Sequence, residues 1–562
     1  MKRLFLTVLI FLVLILGLIS CTLALTSAPT TTPTPGVAPS PTSSPTTTPL
    51  LAPAVPTLKS PLNGRLTSSL TPTLEWQLSP GDTSYGLQVA TDQDFSNIII
   101  DERGLKETSY VVPSPKLDYD KTYYWRVGAS NAAGKSGWSP SWSFVVLSGA
   151  ALESVLGVHT TKAVGEQKVI VIMADFPDVT PTLSKEQVYD KVFVDLDVYF
   201  RDASYGQMWL TGNVTGPYML PQPISDYNIS IHNLEADRTK VRALVTDALN
   251  AADHEVNFSR YSHVMIVLGA SYTQFTGVCY CAIPGMLGSS DTTKILTKSG
   301  QAISSAAVFS EDCYLGNFVH DTIHMLGGVI GGSRVTPCLY DQDLQSTPGA
   351  IAKIHIGNWD PLSCHVYKPE LPPTGLISWT KMRLGWIEHS KIAIVSLGQT
   401  TTVTLDPMGS SNSSTLVIKI PLTSDTFYLV ENHQRVGFGL YDPSSGILIS
   451  YVDDGYKGEC RHGQGPVQLM DANPGVPYLQ GAAFDIGKKE IFVDTQHNLA
   501  IILLRKVDLS YEIQITTADK VDTTSGSCVF PTFPEGFQRT KYYEYAERTV
   551  TYYIVNNHRI CL

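Results

Sequence analysis

Two histidines four residues apart are the strongest chemical signal in the sequence. His320 and His324 lie in LGNFVHDTIHMLGG (315–328), whose apolar residues recur at helical spacing before two glycines end the pattern. On a helix, residues four apart project from one face, so both imidazoles can bind a single metal ion such as Zn²⁺. Such a pair is weak evidence when it stands alone. Its meaning therefore depends on the segments around it.

The surrounding chain predicts an α/β domain that would position this helix. KVIVIMADFPD (168–178) and FSRYSHVMIVLGA (258–270) have the continuous apolar character of buried strands. The segments 186–206 and 234–253 between them have helical spacing instead. Alternating strands and helices indicate an α/β layer, which we assign to residues 160–390.

Strand-rich segments flank this domain on both sides. Residues 58–147 contain six or seven short alternating segments separated by turn signals, which predicts an antiparallel β-sandwich. In that sandwich we expect Trp76 on an inner face and Tyr124 in a tyrosine corner. Residues 391–516 predict a second β-rich sandwich packed on the α/β domain, and the tail 517–562 has no predicted fold.

The N-terminus has the pattern of an export signal. Lys2 and Arg3 precede an apolar run that ends Leu-Ile-Ser-Cys at Cys21, which resembles a bacterial lipobox. Three alternatives follow: lipidation of Cys21, cleavage nearby with secretion, or retention of residues 1–25 as an anchor. Residues 26–57 carry no charge and are rich in Pro, Thr and Ser, as in an extended linker. We therefore expect an extracellular protein, anchored at the cell surface as a lipoprotein or secreted.

Composition excludes several other classes of protein. The 562 residues include 40 Lys and Arg against 51 Asp and Glu, a net charge of −11 that argues against nucleic acid as a main partner. Beyond the N-terminal run, no stretch is apolar for about 20 residues, so membrane contact is expected through the N-terminus alone. No G-x-S-x-G motif surrounds any serine, which argues against a serine hydrolase.

A series of ordered motifs carries a family resemblance. ADFPD, YFRDASYGQMWLTGNVTGPY, HDTIHMLGG, CLYD, GNWDPLS and ISWTKMRLGWIE, followed by FYLVENHQRVGFGLYDPSSGILISYVDD, resemble the immune inhibitor A family of secreted zinc metallopeptidases over about residues 165–515. This resemblance implies a metzincin-like fold, one catalytic zinc ion and hydrolysis of peptide bonds in extracellular proteins. YYWRVGASNAAGKSGWSPSWSF resembles fibronectin type III modules, which act as spacers or as weak binders of protein or polysaccharide.

The sequence departs from this family within the site itself. The glutamate that serves the family as general base is Asp321 here, and its carboxylate lies about 1–1.5 Å further back, a misplacement that can cost about 10²-fold in rate. An inserted GGSRVT loop shifts the third ligand, so that a gapped match places Cys338 at the ligand position with Asp341 close behind. Leu362 replaces the methionine beneath the site, which is a tolerable change in packing.

The nine cysteines bear on the choice of third ligand. If Cys21 carries lipid, eight remain, enough for four disulfides in an exported protein. We expect Cys338 to belong to one of them. That expectation favours Asp341 as the third zinc ligand beside His320 and His324, with Cys338 as the alternative.

A calcium site has less support. Carboxylate oxygens suit hard cations, but no loop spacing marks a Ca²⁺ site among the candidates, so turn residues are the preferred interpretation. The candidates are Asp406, Asp453, Asp454 and Asp471.

Two functions remain in competition. The leading hypothesis is a surface-tethered, zinc-dependent metalloendopeptidase that uses Asp321 as a working but impaired base. The alternative is a catalytically degenerate peptidase fold that acts as a surface binding or adhesion module. The residues alone do not decide between them.

Overall fold

Strands dominate the structure, a computed structural model in which several sheets are accompanied by a few short helices. The predicted export signal, Cys21 and most of the linker lie outside the residues that it describes. Within the described ranges, no helix has both the length and the apolar character needed to cross a membrane. The described residues are 51–81, 84–227, 229, 237–271, 274, 279–284, 294–340, 355–363, 372–410, 413–457, 460, 464–525, 551–555 and 558–561.

The first nine strands form two layers that are antiparallel except where β2 pairs with β9 in parallel, compatible with the predicted β-sandwich. They are β1 (Leu58–Ser60), β2 (Arg65–Thr67), β3 (Thr73–Trp76), β4 (Ser84–Ala90), β5 (Ile98–Leu105), β6 (Ser109–Val111), β7 (Lys121–Asn131), β8 (Gly134–Lys135) and β9 (Trp142–Val146). One layer has the order β1–β3–β6, and the other contains β9–β7–β4–β5. Trp76 is buried in the core between them, as predicted.

The tyrosine corner is formed by Tyr123, so the prediction for Tyr124 was wrong by one residue. The backbone N–H of Asp118 donates to the Tyr123 hydroxyl at 2.7 Å, and the Tyr123 ring is buried. Because side chains alternate along a strand, Tyr124 faces the other side of β7 and is half-buried. Two adjacent tyrosines in a sequence do not show which one points inward.

The middle of the chain forms a five-stranded sheet with helices, consistent with an α/β layer. Its strands are β10 (Gly165–Asp175), β11 (Met208–Met219), β12 (His263–Leu268), β13 (Cys279–Ile283) and β16 (Ala306–Ser310), with β14 (Ile295–Leu296) and β15 (Ala302–Ile303) as a separate pair. The order is β11–β10–β12–β16–β13, with the first four strands parallel and β13 antiparallel at the end.

Seven helices accompany the sheets in the described part of the chain. They are α1 (Gly149–Leu156), α2 (Lys185–Asp190), α3 (Asp197–Ala203), α4 (Ile224–Tyr227), α5 (Arg238–Ala252), α6 (Leu315–Gly327) and α7 (Ser378–Arg383). A π-helical segment at Lys191–Leu196 joins α2 to α3, where the sequence predicts one continuous helix.

Both faces of the five-stranded sheet are covered, which explains the continuous apolar run of β10. Val169 and Val171 face a core shared with α6, whereas Ile170 and Ile172 face a core shared with α5. The sheet therefore holds α6 firmly on one side.

The C-terminal strands form two sheets that pack around one apolar core, compatible with a second sandwich. They are β19 (Ile392–Ile394), β20 (Thr401–Leu405), β21 (Val417–Pro421), β22 (Thr426–His433), β23 (Gly446–Asp453), β24 (Val467–Leu469), β25 (Ile491–Asp494), β26 (Leu499–Val507) and β27 (Ser510–Thr516). Three further strands form a small sheet of their own: β28 (Asp522–Ser525), β29 (Thr551–Val555) and β30 (His558–Cys561). Strand β2 pairs with both β9 and β19, so the N-terminal and C-terminal strands share one eleven-stranded sheet.

A buried cluster of charged side chains links the C-terminal sheet to α7. His433 contacts the carboxylates of Asp442 through Nδ1 at 2.7 Å and of Glu431 through Nε2 at 3.1 Å, and all three side chains are buried. Glu431 also accepts the backbone N–H of Ser378, the first residue of α7, at 2.6 Å. Burial alone would lower the pKa of His433, but Asp442 and Glu431 outweigh it and raise that pKa to about 10. The imidazole is therefore charged at neutral pH.

Replacement of His433 should destabilise the fold in a pH-dependent way. His433→Gln leaves two buried carboxylates without their cation, at a cost of about 3–5 kcal/mol. Because the folded-state pKa lies above the usual 6.5, this stabilisation is complete below pH ~6.5 and is lost as the pH rises toward 10. The difference between the thermal midpoints of the wild type and the variant should therefore decrease as the pH is raised from 6 to 10. His254→Gln, at an exposed pair with Glu255, should show no such trend.

Candidate metal centre

Helix α6 carries both histidines, with His324 buried and His320 partly exposed. The carboxamide oxygen of Asn317 accepts the backbone N–H of Tyr314 at 3.0 Å, which caps the first turn. Phe318 and Ile323 pack into the core beneath the sheet. The helix ends at Gly327, as predicted, and Gly328 follows it with φ +67°.

Glycine at position 327 lets the following loop fold back against the helix. A Cβ at Gly327 would lie only 2.2 Å from the Thr336 hydroxyl oxygen, so any other residue would push the loop away. The loop passes through β17 (Val329–Ile330) and β18 (Ser333–Arg334), which form a two-residue hairpin. It then brings Thr336 and Cys338 next to the histidines.

Each histidine is held through its Nδ1 atom by a backbone carbonyl. His320 Nδ1 lies 2.8 Å from the Pro361 oxygen, and His324 Nδ1 lies 2.6 Å from the Thr336 oxygen. A carbonyl can only accept, so each Nδ1 carries the hydrogen and each neutral ring has its lone pair on Nε2. The two Nε2 atoms face each other at 3.0 Å. Two lone pairs at this distance require a shared cation, either a proton or a metal ion.

Electrostatics favour the neutral form of His324. Burial, the Arg334 guanidinium and His320 together hold the pKa of His324 well below its usual range, against the hydrogen bond to Thr336. A neutral imidazole is the form that binds a metal. The side chain of His320 is more accessible than that of His324, so the site opens on the His320 side.

Cys338 completes a cluster that we call the metal triad: His320, His324 and Cys338. Its Sγ lies 3.4 Å from His324 Nε2 and 3.9 Å from His320 Nε2. Cys338 is a buried thiol, so the expectation that it forms a disulfide was wrong. The spacing of cysteines along a chain does not show which sulfurs meet in space. In the described part of the chain, no other group of three or more such ligands lies this close together.

The remaining predicted site residues have different outcomes. Asp321 follows His320 on α6 and is buried. Asp341 lies outside the described residues, so the structure places the alternative ligand Cys338 but not the favoured one. Leu362 is fully buried in the core that also contains residues of α6.

The four aspartates considered for calcium each have hydrogen-bond partners of their own. Asp406 accepts from Ser414 and Ser510, and Asp454 pairs with Arg383. Asp453 and Asp471 each accept a backbone N–H two residues further along. These are the bonds of turns and structural ion pairs, and they lend no support to a calcium site.

Sequence reasoning missed the groups that position the triad. The Pro361 and Thr336 carbonyls have no sequence signature, since every residue has a carbonyl group. Arg334 lies in the inserted loop and donates through Nε to the Pro284 carbonyl, at 3.1 Å, just after β13. Of these groups, only Arg334 could have been found from the sequence, because it is a basic residue in an insertion next to a candidate ligand.

Comparisons with known proteins reach only a small part of the chain. No family model matches the sequence, and no curated protein matches it. Solved structures that resemble it include a Fn3-like protein from Clostridium thermocellum, with 18% identity over 17% of this chain and 90% of that one (TM-score 0.14). A fibronectin type III domain derived from human KIAA0970 protein shows 17% identity over 18% and 76% (TM-score 0.14). An alpha-L-rhamnosidase from Dictyoglumus thermophilum shows 19% identity over 18% and 13% (TM-score 0.16).

We expect the purified protein to bind one equivalent of a transition metal through the triad. With Co²⁺ as probe, the wild type should show a sulfur-to-metal charge-transfer band, because Cys338 binds as a thiolate. Cys338→Ser should abolish the band, and His324→Ala should abolish binding. Cys460→Ser is the matched control, since Cys460 is also a buried thiol but contacts the Cys338 carbonyl through its sulfur. Loss of the band in Cys460→Ser with retention in Cys338→Ser would contradict the assignment.

Proposed function

We propose that the protein is an extracellular, surface-tethered zinc metalloendopeptidase that hydrolyses peptide bonds in extracellular proteins. The observation that carries this proposal is the convergence of two imidazole Nε2 atoms and one thiol Sγ on a single point. The family resemblance of the sequence supports the reaction class, and the export signal supports the location.

The donor atoms suit zinc in both chemistry and spacing. Zn–N bonds of about 2.0–2.1 Å and Zn–S bonds of about 2.3 Å in a tetrahedral site separate two nitrogens by about 3.3 Å, and nitrogen from sulfur by about 3.5 Å. The observed separations are 3.0 Å between the nitrogens, and 3.4 and 3.9 Å from sulfur to each nitrogen. A soft thiolate with two imidazoles favours zinc over magnesium or calcium. Three protein ligands leave a fourth position, as in catalytic sites.

Catalysis requires a base beside the metal, and Asp321 is the candidate. A zinc ion at the triad would act as a Lewis acid that polarises the substrate carbonyl and activates water. The Asp321 carboxylate would take a proton from the attacking water and return it to the nitrogen of the leaving amine. Its side chain is one methylene shorter than glutamate, so we expect slow turnover.

The edge of the five-stranded sheet supports an extended peptide as substrate. Strand β13 runs antiparallel to β16 at the end of the sheet, and α6 packs beside both strands. An extended peptide can add to such an edge through main-chain hydrogen bonds, largely independent of its sequence. The scissile bond would then lie near the triad.

A binding or adhesion module is the second candidate function. Two observations favour it: the short base at Asp321, and a thiolate where the family has a carboxylate ligand. A thiolate donates more electron density than a carboxylate and so weakens the Lewis acidity of zinc. Both departures reduce hydrolytic power without removing metal binding.

Asp321→Glu distinguishes the two candidates. The longer side chain restores the reach of the family's base, so kcat/KM for casein or a quenched peptide library should rise tenfold or more. His320→Ala and treatment with a chelator should abolish activity in both forms. Asp312→Glu, the same change at an exposed position before α6, should leave the rate unchanged.

Two other results would count against the peptidase function. If the wild type and Asp321→Glu both bind zinc and neither cleaves any peptide, the peptidase function is excluded and the binding module is favoured. Caseinolysis that persists after complete removal of metal would exclude the metallopeptidase altogether.

A further inference from the structure

One short turn contacts two of the three metal-ligand segments. This turn, residues 360–363, consists of Asp360 and the 3₁₀ segment Pro361–Ser363, and it directly follows the 3₁₀ segment Gly357–Trp359. Its Pro361 carbonyl accepts the Nδ1–H of His320 at 2.8 Å. Its Leu362 carbonyl accepts the backbone N–H of Leu339, the residue after Cys338, at 2.9 Å. The positions of His320 and Cys338 therefore depend on the same turn.

The side chain of Asp360 holds this turn together and attaches it to α7. Its Oδ1 accepts the backbone N–H of Leu362 at 2.8 Å, within the turn. Its Oδ2 accepts the backbone N–H of Ile377 at 3.1 Å and the Thr380 hydroxyl at 2.8 Å, both at the start of α7. Asp360 is 1% exposed, so these bonds are protected from water. One carboxylate thus fixes both the shape and the location of the turn.

The anchor of Asp360 is itself rigid. Helix α7 begins at Ser378, whose N–H donates to Glu431 of the charged cluster around His433. Burial raises the pKa of Asp360 to about 7, against the hydrogen bonds from Leu362, Thr380 and Ile377. A buried carboxylate that accepts three donors is strongly held in place, because each donor would otherwise be left unsatisfied.

We propose that Asp360 is a positioning residue that sets the metal affinity of the triad by holding the Pro361 and Leu362 carbonyls. It touches neither the metal position nor a substrate. The third ligand, His324, is held separately by Thr336, so Asp360 controls two ligands out of three. This inference rests on the metal centre of the proposed function and is independent of peptide hydrolysis.

Asp360→Asn tests this role with almost no change in volume. An amide has one acceptor oxygen and one NH₂ group, so it cannot accept from Leu362 on one side and from Ile377 and Thr380 on the other. The measurement is the Zn²⁺ dissociation constant, by competition with a chelating dye, alongside the thermal midpoint of the metal-free protein. We expect the dissociation constant to rise about 10–100-fold, as for other groups that orient metal ligands.

The matched control is Asp494→Asn. Asp494 is also largely buried, and it accepts from the Tyr428 hydroxyl at 2.8 Å and from His497, but it lies in the C-terminal sandwich at the end of β25. It should lower the thermal midpoint without changing the Zn²⁺ dissociation constant. If Asp360→Asn fails to fold, Thr380→Val removes one donor to Oδ2 and should weaken binding severalfold.

Three results would overturn the inference. Wild-type affinity in Asp360→Asn, or in Thr380→Val where the first variant is unfolded, would exclude a positioning role. Equal loss of affinity in Asp360→Asn and Asp494→Asn would mean that both act through overall stability. Absence of zinc binding by the wild type would remove the metal centre and the proposed function with it. A wild type that binds zinc but hydrolyses nothing would overturn the peptidase function alone.

Discussion

Two hydrogen bonds to backbone carbonyls determine what the paired histidines can do. Each fixes an imidazole as the tautomer with hydrogen on Nδ1, so that both Nε2 lone pairs meet at one point. Without these acceptors, the rings on α6 could rotate, and the four-residue spacing would have no consequence. The Thr336 acceptor reaches its place because Gly327 has no side chain to block it. The Pro361 acceptor lies 41 residues from its histidine and has to be held by the rest of the fold.

The C-terminal half supplies that support. Strand β22 carries Glu431 and His433, and Glu431 bonds to the first residue of α7, which in turn holds Asp360. Buried charges are costly unless they are paired, so the pairing of His433 with Asp442 and Glu431 opposes rearrangement of this cluster. The strand-rich segment 391–516, which the sequence predicts as a second sandwich, therefore also supports the candidate metal centre. Its contribution is rigidity at a distance from the chemistry.

Local patterns in the sequence predicted local features well. The helix with His320 and His324, its end at Gly327 and the buried strand β10 follow from periodicity and from glycine chemistry. The position of Cys338 beside both histidines did not follow, because parity arguments about cysteines say nothing about which sulfurs meet. The Asp360 bonds were also invisible, since its carboxylate accepts from two backbone N–H groups and from a hydroxyl group up to 20 positions away. The shared eleven-stranded sheet depends on pairing between β2 and β19, which no local pattern encodes.

The nature of the third ligand separates metal affinity from catalytic rate. A thiolate binds zinc more tightly than a carboxylate does, yet it makes the ion a weaker Lewis acid. In the proposed function, the shorter base at Asp321 would lower the rate further and leave the metal affinity unchanged, because it is not among the triad residues. A fold that held no metal ion would not need the Pro361 and Thr336 carbonyls at the two imidazoles. Nor would it need a sulfur 3.4 Å from His324 Nε2. All of these groups are in place and suit a metal ion. In the proposed function, both the thiolate and the short side chain of Asp321 would then limit the rate of hydrolysis.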